Sequence, residues 1–93
     1  MRQGWINGNG GERLHYVNDS LHREDGPAYI IEKDNGKVIY SAYYMNDKRH
    51  REDGFAREWF HLDGSIEQGC YYIYDQFLDE SKFLLYKLNK LLT

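Results

Sequence analysis

The sequence predicts a mainly β (β + α) fold: an antiparallel β-meander of five to six strands built from 28-residue repeats, with one C-terminal α-helix. Three observations carry that expectation. Residues 16–36 laid over 44–64 agree at ten of 21 positions, the shared block being His-Arg-Glu-Asp-Gly, where composition alone gives roughly one or two. Asn35-Gly36 and Asp63-Gly64 stand between alternating apolar runs, the strongest short-range sign of a hairpin. After residue 78 the apolar period changes from that of a strand to that of a helix.

Repetition organises the chain. Tyr16, Tyr44 and Tyr72 share one column of the repeat, Asp19, Asp47 and Asp75 a second, and Gly8, Gly36 and Gly64 a third. The 93 residues then read as one domain with units at about 8–35 and 36–63, a partial unit at 64–78 and a helix at 79–92. Nine Tyr, four Phe and two Trp against a single Pro suit strands packed by flat side chains.

Taken in order, a weak strand falls near 3–6, followed by strands at 11–17, 27–33, 37–45, 55–62 and 65–74. Asn35-Gly36 and Asp63-Gly64 are expected to place both turn residues at positive φ. The alternative connections, "NDSLHREDG" and "NDKRHREDG", read as loops too polar and long for a tight turn. Within 37–45, Val38, Tyr40, Ala42 and Tyr44 point one way and Ile39, Ser41, Tyr43 and Met45 the other. Cys70 falls in the column of Ala42, which marks it as a small core residue. In the tail, Asp79 is a suitable N-cap, and Leu84, Leu88 and Leu91 form a stripe expected to fold back on the sheet. The same stripe offers a homodimer contact through the C-terminal helix.

Composition excludes several function classes. One cysteine forms no intramolecular disulfide, and the start of the chain does not resemble a signal peptide. A cytoplasmic location with no membrane partner is therefore expected, since no apolar run approaches the ~18 residues of a span. A net charge of −3 gives no basic footprint for nucleic acid. The local group Lys48, Arg49, Arg51 and Tyr43 is interleaved with Asp47, Glu52 and Asp53, so direct nucleic-acid binding is not expected.

His22 with Asp25, and His50 with Asp53, have the spacing of a general base or of metal ligands. A nucleophilic mechanism needs a Ser, Thr or Cys that recurs beside the His, yet Ser20 becomes Lys48 in the second copy. Zinc needs three or four converging ligands, and Cys70 stands alone. No enzyme activity, cofactor or metal is expected. These four residues read instead as rigid-loop residues that hydrogen-bond loop amides, with Gly26 and Gly54 supplying a positive-φ turn.

"NDSLHREDGPA", "NDKRHREDGFA" and the spaced "DNG" and "LDG" hairpins resemble MORN-like repeats, most closely the variety that occurs in tandem in small bacteriophage proteins. The likeness covers about residues 5–78. It departs from the pattern where Phe55 replaces the usual Pro, and where the third unit keeps only Tyr72 and Asp75. The resemblance implies a non-enzymatic interaction surface. It points to a small phage-encoded inhibitor of a bacterial host defence protein, such as a CRISPR–Cas effector, acting in the host cytoplasm. A structural or self-assembling phage protein and an antitoxin-like neutraliser are the alternatives.

Positions that differ between copies locate the expected partner surface. Pro27/Phe55, Tyr29/Arg57 and Ile31/Trp59 are such mismatches, and Phe55, Arg57 and Trp59 are expected on one side of one strand. Tyr43 and Tyr71 are expected to extend that aromatic surface, with Arg49 and Arg51 flanking it for an acidic partner.

Overall fold

Two kinds of turn alternate along the chain and set the whole architecture. A computed structural model describes residues 1–93. Its strands are β1 (Gly4–Asn7), β2 (Glu12–Val17), β3 (Ser20–Leu21), β4 (Tyr29–Glu32), β5 (Val38–Ala42), β6 (Tyr44–Met45), β7 (Lys48–Arg49), β8 (Arg57–Phe60), β9 (Ile66–Ile73) and β10 (Gln76–Leu78). One helix, α1 (Glu80–Leu91), follows. The main antiparallel sheet runs β1-β2-β4-β5-β8-β9-β10, with β3 paired to β2 and a separate β6–β7 ribbon. The expected meander with a C-terminal helix is what forms.

The wide turns differ in detail from the expected two-residue hairpins. Gly36 and Gly64 lie at φ 80° and 91°, but Asn35 and Asp63 do not share that positive φ. Instead the Lys33 N–H donates to Lys37 C=O, the Gly36 N–H donates to Lys33 C=O, and the Asn35 side chain accepts from the Lys37 amide. His61 to Ser65 repeats the arrangement, with Asp63 in the place of Asn35. Each ladder then shifts register, Ile31↔Tyr40 giving way to Glu32↔Val38 and Trp59↔Gln68 to Phe60↔Ile66. One residue is extra on each returning strand, Ile39 and Glu67. A type I turn with a glycine bulge achieves what the mirror-image turn was expected to do.

The first unit leaves the glycine column. Its equivalent bond is Gly8 N–H to Glu12 C=O, 25 rather than 28 residues before Lys33–Lys37. Here Gly10 and Gly11 carry the positive φ, and a Cβ on Gly11 would sit 2.0 Å from the Glu32 carbonyl oxygen. Gly8 is therefore not the counterpart of Gly36.

The narrow turns correct a second expectation. Asn18-Asp19, Asn46-Asp47 and Tyr74-Asp75 all take positive φ at both residues. The ladders continue across them, with Val17↔Ser20, Met45↔Lys48 and Ile73↔Gln76 paired. The stretches read as long loops thus open with tight two-residue hairpins, because Asn and Asp enter the left-handed region more readily than other residues with a Cβ. The third unit keeps this hairpin even though Tyr replaces Asn, so its structure persists beyond its sequence likeness.

The result is a plate, 43 × 35 × 18 Å along its principal axes. Such a thin body buries little, and only six of 93 residues fall in the buried class. Ala28, Ala42 and Ala56 are fully buried. The Ala28 N–H donates to Ala42 C=O, and one period later the Ala56 N–H donates to Cys70 C=O. Cys70 indeed occupies the position of Ala42, although it is only half-buried.

The helix docks differently from the expected stripe. Asp79 caps it by accepting from the Lys82 amide at 2.9 Å. Phe83, at 3% exposure, is its one buried residue, while Leu84, Leu88 and Leu91 point into solvent. Phe83 stacks on Tyr71 at 4.1 Å between ring centroids, and Tyr71 stacks on Phe55 at 4.6 Å. A flat aromatic ring matches a flat sheet better than branched leucines do.

Candidate functional site

The repeated His, Arg and Asp side chains join one unit to the next. His22 Nδ1 accepts from the Asn46 amide at 3.0 Å, and His50 Nδ1 accepts from the Tyr74 amide at 3.1 Å. Each His thus caps the narrow turn of the following unit, and its acceptor role leaves the proton on Nε2. That atom lies 3.2 Å from the Glu52 carboxylate for His50 and 3.8 Å from Glu24 for His22. The turn aspartates reach back the other way. Asp47 accepts from the Leu21 amide at 2.7 Å, and Asp75 accepts from the Arg49 amide at 2.9 Å.

The partners of Asp25 and Asp53 differ from those expected. Instead of loop amides they accept from the Arg23 and Arg51 guanidinium groups, both at 3.0 Å. The same guanidiniums donate onward to the carbonyls of Pro27 and Phe55. Gly26 and Gly54 do not take positive φ. They are small so that the arginine can wrap: a Cβ on either would meet the guanidinium at 3.0 or 3.1 Å. No three His, Cys, Asp or Glu side chains converge on a metal-sized site.

Arg2 and Gln3 do for the first narrow turn what Arg49 and His50 do for the third. Gln3 Oε1 accepts from the Asn18 amide at 2.8 Å, as the histidines do for later turns. Arg2 bonds Asp19 through both its amide and its side chain, as Arg49 bonds Asp75. Arg2 also lies over the Tyr16 ring, as Arg49 lies over Tyr72. The repeat period hides this cap, because Gln3 lies 15 residues before Asn18 whereas each His lies 24 before its turn, and an amide stands in place of the imidazole. The Arg-Gln pair facing Asn-Asp was its only trace.

These ion pairs set an acid limit. Hydrogen bonds from Arg49 hold the Asp75 carboxyl below its ordinary 3.8, and those from Arg51 do the same for Asp53. A depressed folded-state pKa contributes stability that is present above the unfolded value and lost as pH falls through the folded one. Denaturation midpoints should therefore hold level above about pH 5 and fall below about pH 4. Asp75→Asn keeps an acceptor for the Arg49 amide and removes the charge, so it should flatten part of that fall. The difference should stay under about 1 kcal/mol, because the pair is half exposed. Urea titrations at a series of pH values measure it.

The predicted partner residues divide between two faces. Arg57 and Trp59 stand opposite Ala42 and Tyr40 on one side and Cys70 and Gln68 on the other. Phe55 lies on the reverse face, since its ring occupies the space a Cβ on Gly69 would take, and Gly69 pairs with Glu58. Tyr71 and Tyr43 belong to that reverse face as well. The expected grouping fails at Ala56, which gives its carbonyl to the Tyr43 amide but its N–H to Cys70. Pointing both ways at once, Ala56 breaks the alternation that Phe55, Arg57 and Trp59 needed.

On the reverse face these side chains contact the chain itself, beside a polar groove of about 550 Å³ lined by Arg23, Tyr43, His50 and Arg51. Arg51 lies 4.0 Å above the Tyr43 ring and 3.5 Å from Glu58, and α1 covers Tyr71, on which Phe55 stacks. Arg49, expected to meet an acidic partner, is paired with Asp75.

The front face is left open. Tyr29, Ile31, Ile39, Tyr40, Tyr44, Arg57 and Trp59 line a shallow groove of about 480 Å³. Tyr40 packs edge-on to Tyr29 at 5.8 Å and tilts against Trp59 at 5.2 Å. Arg57 donates to the Tyr40 hydroxyl at 2.8 Å and lies 4.7 Å over Trp59. At the far end the Tyr29 hydroxyl donates to Glu12, a bond that with burial pushes the phenol up to about 12 and keeps it neutral. The alternation in the sequence grouped Tyr40 with Tyr44 but set Ile39 on the other side, and the extra residue in the ladder brings Ile39 to this groove. What the alternation lacked was the pairing that sets Tyr29 and Trp59 beside Tyr40.

No helix is long and apolar enough to cross a membrane. Comparison with family models, curated proteins and solved structures returns no match to this chain.

Proposed function

We propose that this chain is a non-enzymatic protein-binding module whose partner sits on the open aromatic face. One observation carries the reading: Arg57 is held between the Tyr40 hydroxyl and the Trp59 ring in an uncovered groove. Trp, Tyr and Arg are the side chains that dominate binding energy at protein interfaces. A guanidinium already ordered before binding loses little further freedom on contact. The repeated His side chains support a role other than catalysis, because their nitrogens face backbone amides and glutamates of the scaffold. The MORN-like character of the repeats extends the proposal to a small phage-encoded inhibitor of a bacterial defence protein in the host cytoplasm.

Affinity purification from defence-bearing bacteria, followed by mass spectrometry, identifies the partner to be used. Arg57→Ala should then weaken binding to that partner by about 1–2 kcal/mol or more. Its melting temperature should change little, since the Tyr40 hydroxyl stays accessible to water. Arg57→Lys should bind at an intermediate level, as charge without a planar fork restores only part of the contact. Unaltered binding by Arg57→Ala moves the interface off this face.

A further inference from the structure

The helix turns the wrong side outward for a monomer. With about 3.6 residues per turn, Leu84, Leu85, Leu88, Leu91 and Leu92 share one face. They are 52% to 82% exposed. The opposite side carries the contacts with the body. Phe83 docks on Tyr71, and Lys90 lies 3.7 Å from Glu52.

We infer that this face is the interface of an antiparallel homodimer whose two-fold axis passes beside Leu88. The pattern is its own mirror image about that residue: 84 reflects onto 92, 85 onto 91, and 88 onto itself. An isologous contact requires this property, because each residue must suit a surface identical to the one that bears it. The same reflection sets Lys87 against Asn89 and Lys90 against Tyr86, so no lysine faces a lysine. Since the leucines look away from the sheet, the paired helices lie between two plates that do not collide. Each copy offers on the order of 500 Å² of leucine surface, so two copies reach roughly the 1,000 Å² at which specific interfaces begin. A lipid surface fits less well. Lys90 is drawn to Glu52 of the body, and Asp79 and Glu80 offset Lys82 and Lys87, which leaves the helix no net basic charge for anionic headgroups.

Sedimentation of the full chain tests this. The mass should rise with concentration toward twice 11.1 kDa. Leu88→Glu sets two like charges against each other at the axis and should hold the mass at 11.1 kDa with unchanged circular dichroism. Register is read by cross-linking in a Cys70→Ser background with a short bis-maleimide. Leu88→Cys should join to itself, whereas Leu84→Cys and Leu92→Cys should join efficiently only when mixed. A monomer at every concentration overturns the proposal. So does a dimer that survives Leu88→Glu, or one in which Leu84→Cys joins to itself as well as Leu88→Cys does. Binding of the monomer to phosphatidylserine vesicles, lost in Leu88→Glu, would assign the face to a membrane surface instead.

Discussion

Replacing His50 with alanine should be the most destabilising single change in the repeat loops, at about 2–3 kcal/mol. The side chain is 6% exposed, accepts from the Tyr74 amide, meets Glu52 and stacks on the Tyr74 ring at 4.0 Å. Alanine removes the stack and leaves an amide of the narrow turn without its acceptor. In a domain of this size that corresponds to a fall of roughly 10–20 °C in melting temperature. The protein contains its own controls. His22 has the same amide bond, but its counterpart of Tyr74 is Asn46, so no ring stacks on it and His22→Ala should be milder. Gln3 performs the task at the first turn with an amide oxygen, so His50→Gln should recover a substantial part of the loss. Thermal denaturation of the three variants decides the matter. Equal losses for His22→Ala and His50→Ala would show that the stack contributes nothing.

The second large effect is expected at Phe83. Phe83→Ala should remove about 3 kcal/mol of packing, the lower end for a buried phenylalanine, because it deletes the top of the Phe55–Tyr71–Phe83 stack. That loss should appear as a local event. A 12-residue helix is too short to persist undocked, so the helical circular dichroism signal should fall while the sheet still unfolds cooperatively. Dilute protein should be used, so that contacts between leucine faces do not hold the helix in place. An unchanged helical signal would mean that Tyr86 and the Lys90–Glu52 pair suffice to anchor it.

The His50 and Phe83 effects are local in different ways, and this follows from the thin plate. With so few buried residues, stability rests on bonds between neighbouring units, as in other repeat architectures. Asp47 to Leu21 and Asp75 to Arg49 are the same bond made twice, as are His22 to Asn46 and His50 to Tyr74.

Those paired bonds explain how much could be read in advance. A side chain that joins adjacent units must recur at the unit spacing, so the 28-residue period, the order of the strands and the recurrence of His22 with His50 and of Asp47 with Asp75 all show in the amino-acid order. So does the Asp79 cap, which is a purely local interaction. The Arg23 and Arg51 partners of Asp25 and Asp53 did not show there. The narrow turns were hidden because Asn-Asp holds a left-handed turn without a glycine to announce it. The division of Phe55 from Arg57 and Trp59 was hidden for a different reason. Alternation assigns faces only while a ladder is regular, and the reversal at Ala56 comes from its two neighbours, Tyr43 and Cys70, which are remote in sequence. Likewise the tail showed that a leucine stripe exists, but not that one phenylalanine would dock the opposite side. Periodicity records which residues share a face; which face meets the sheet is a competition between surfaces, settled by shape once both are built.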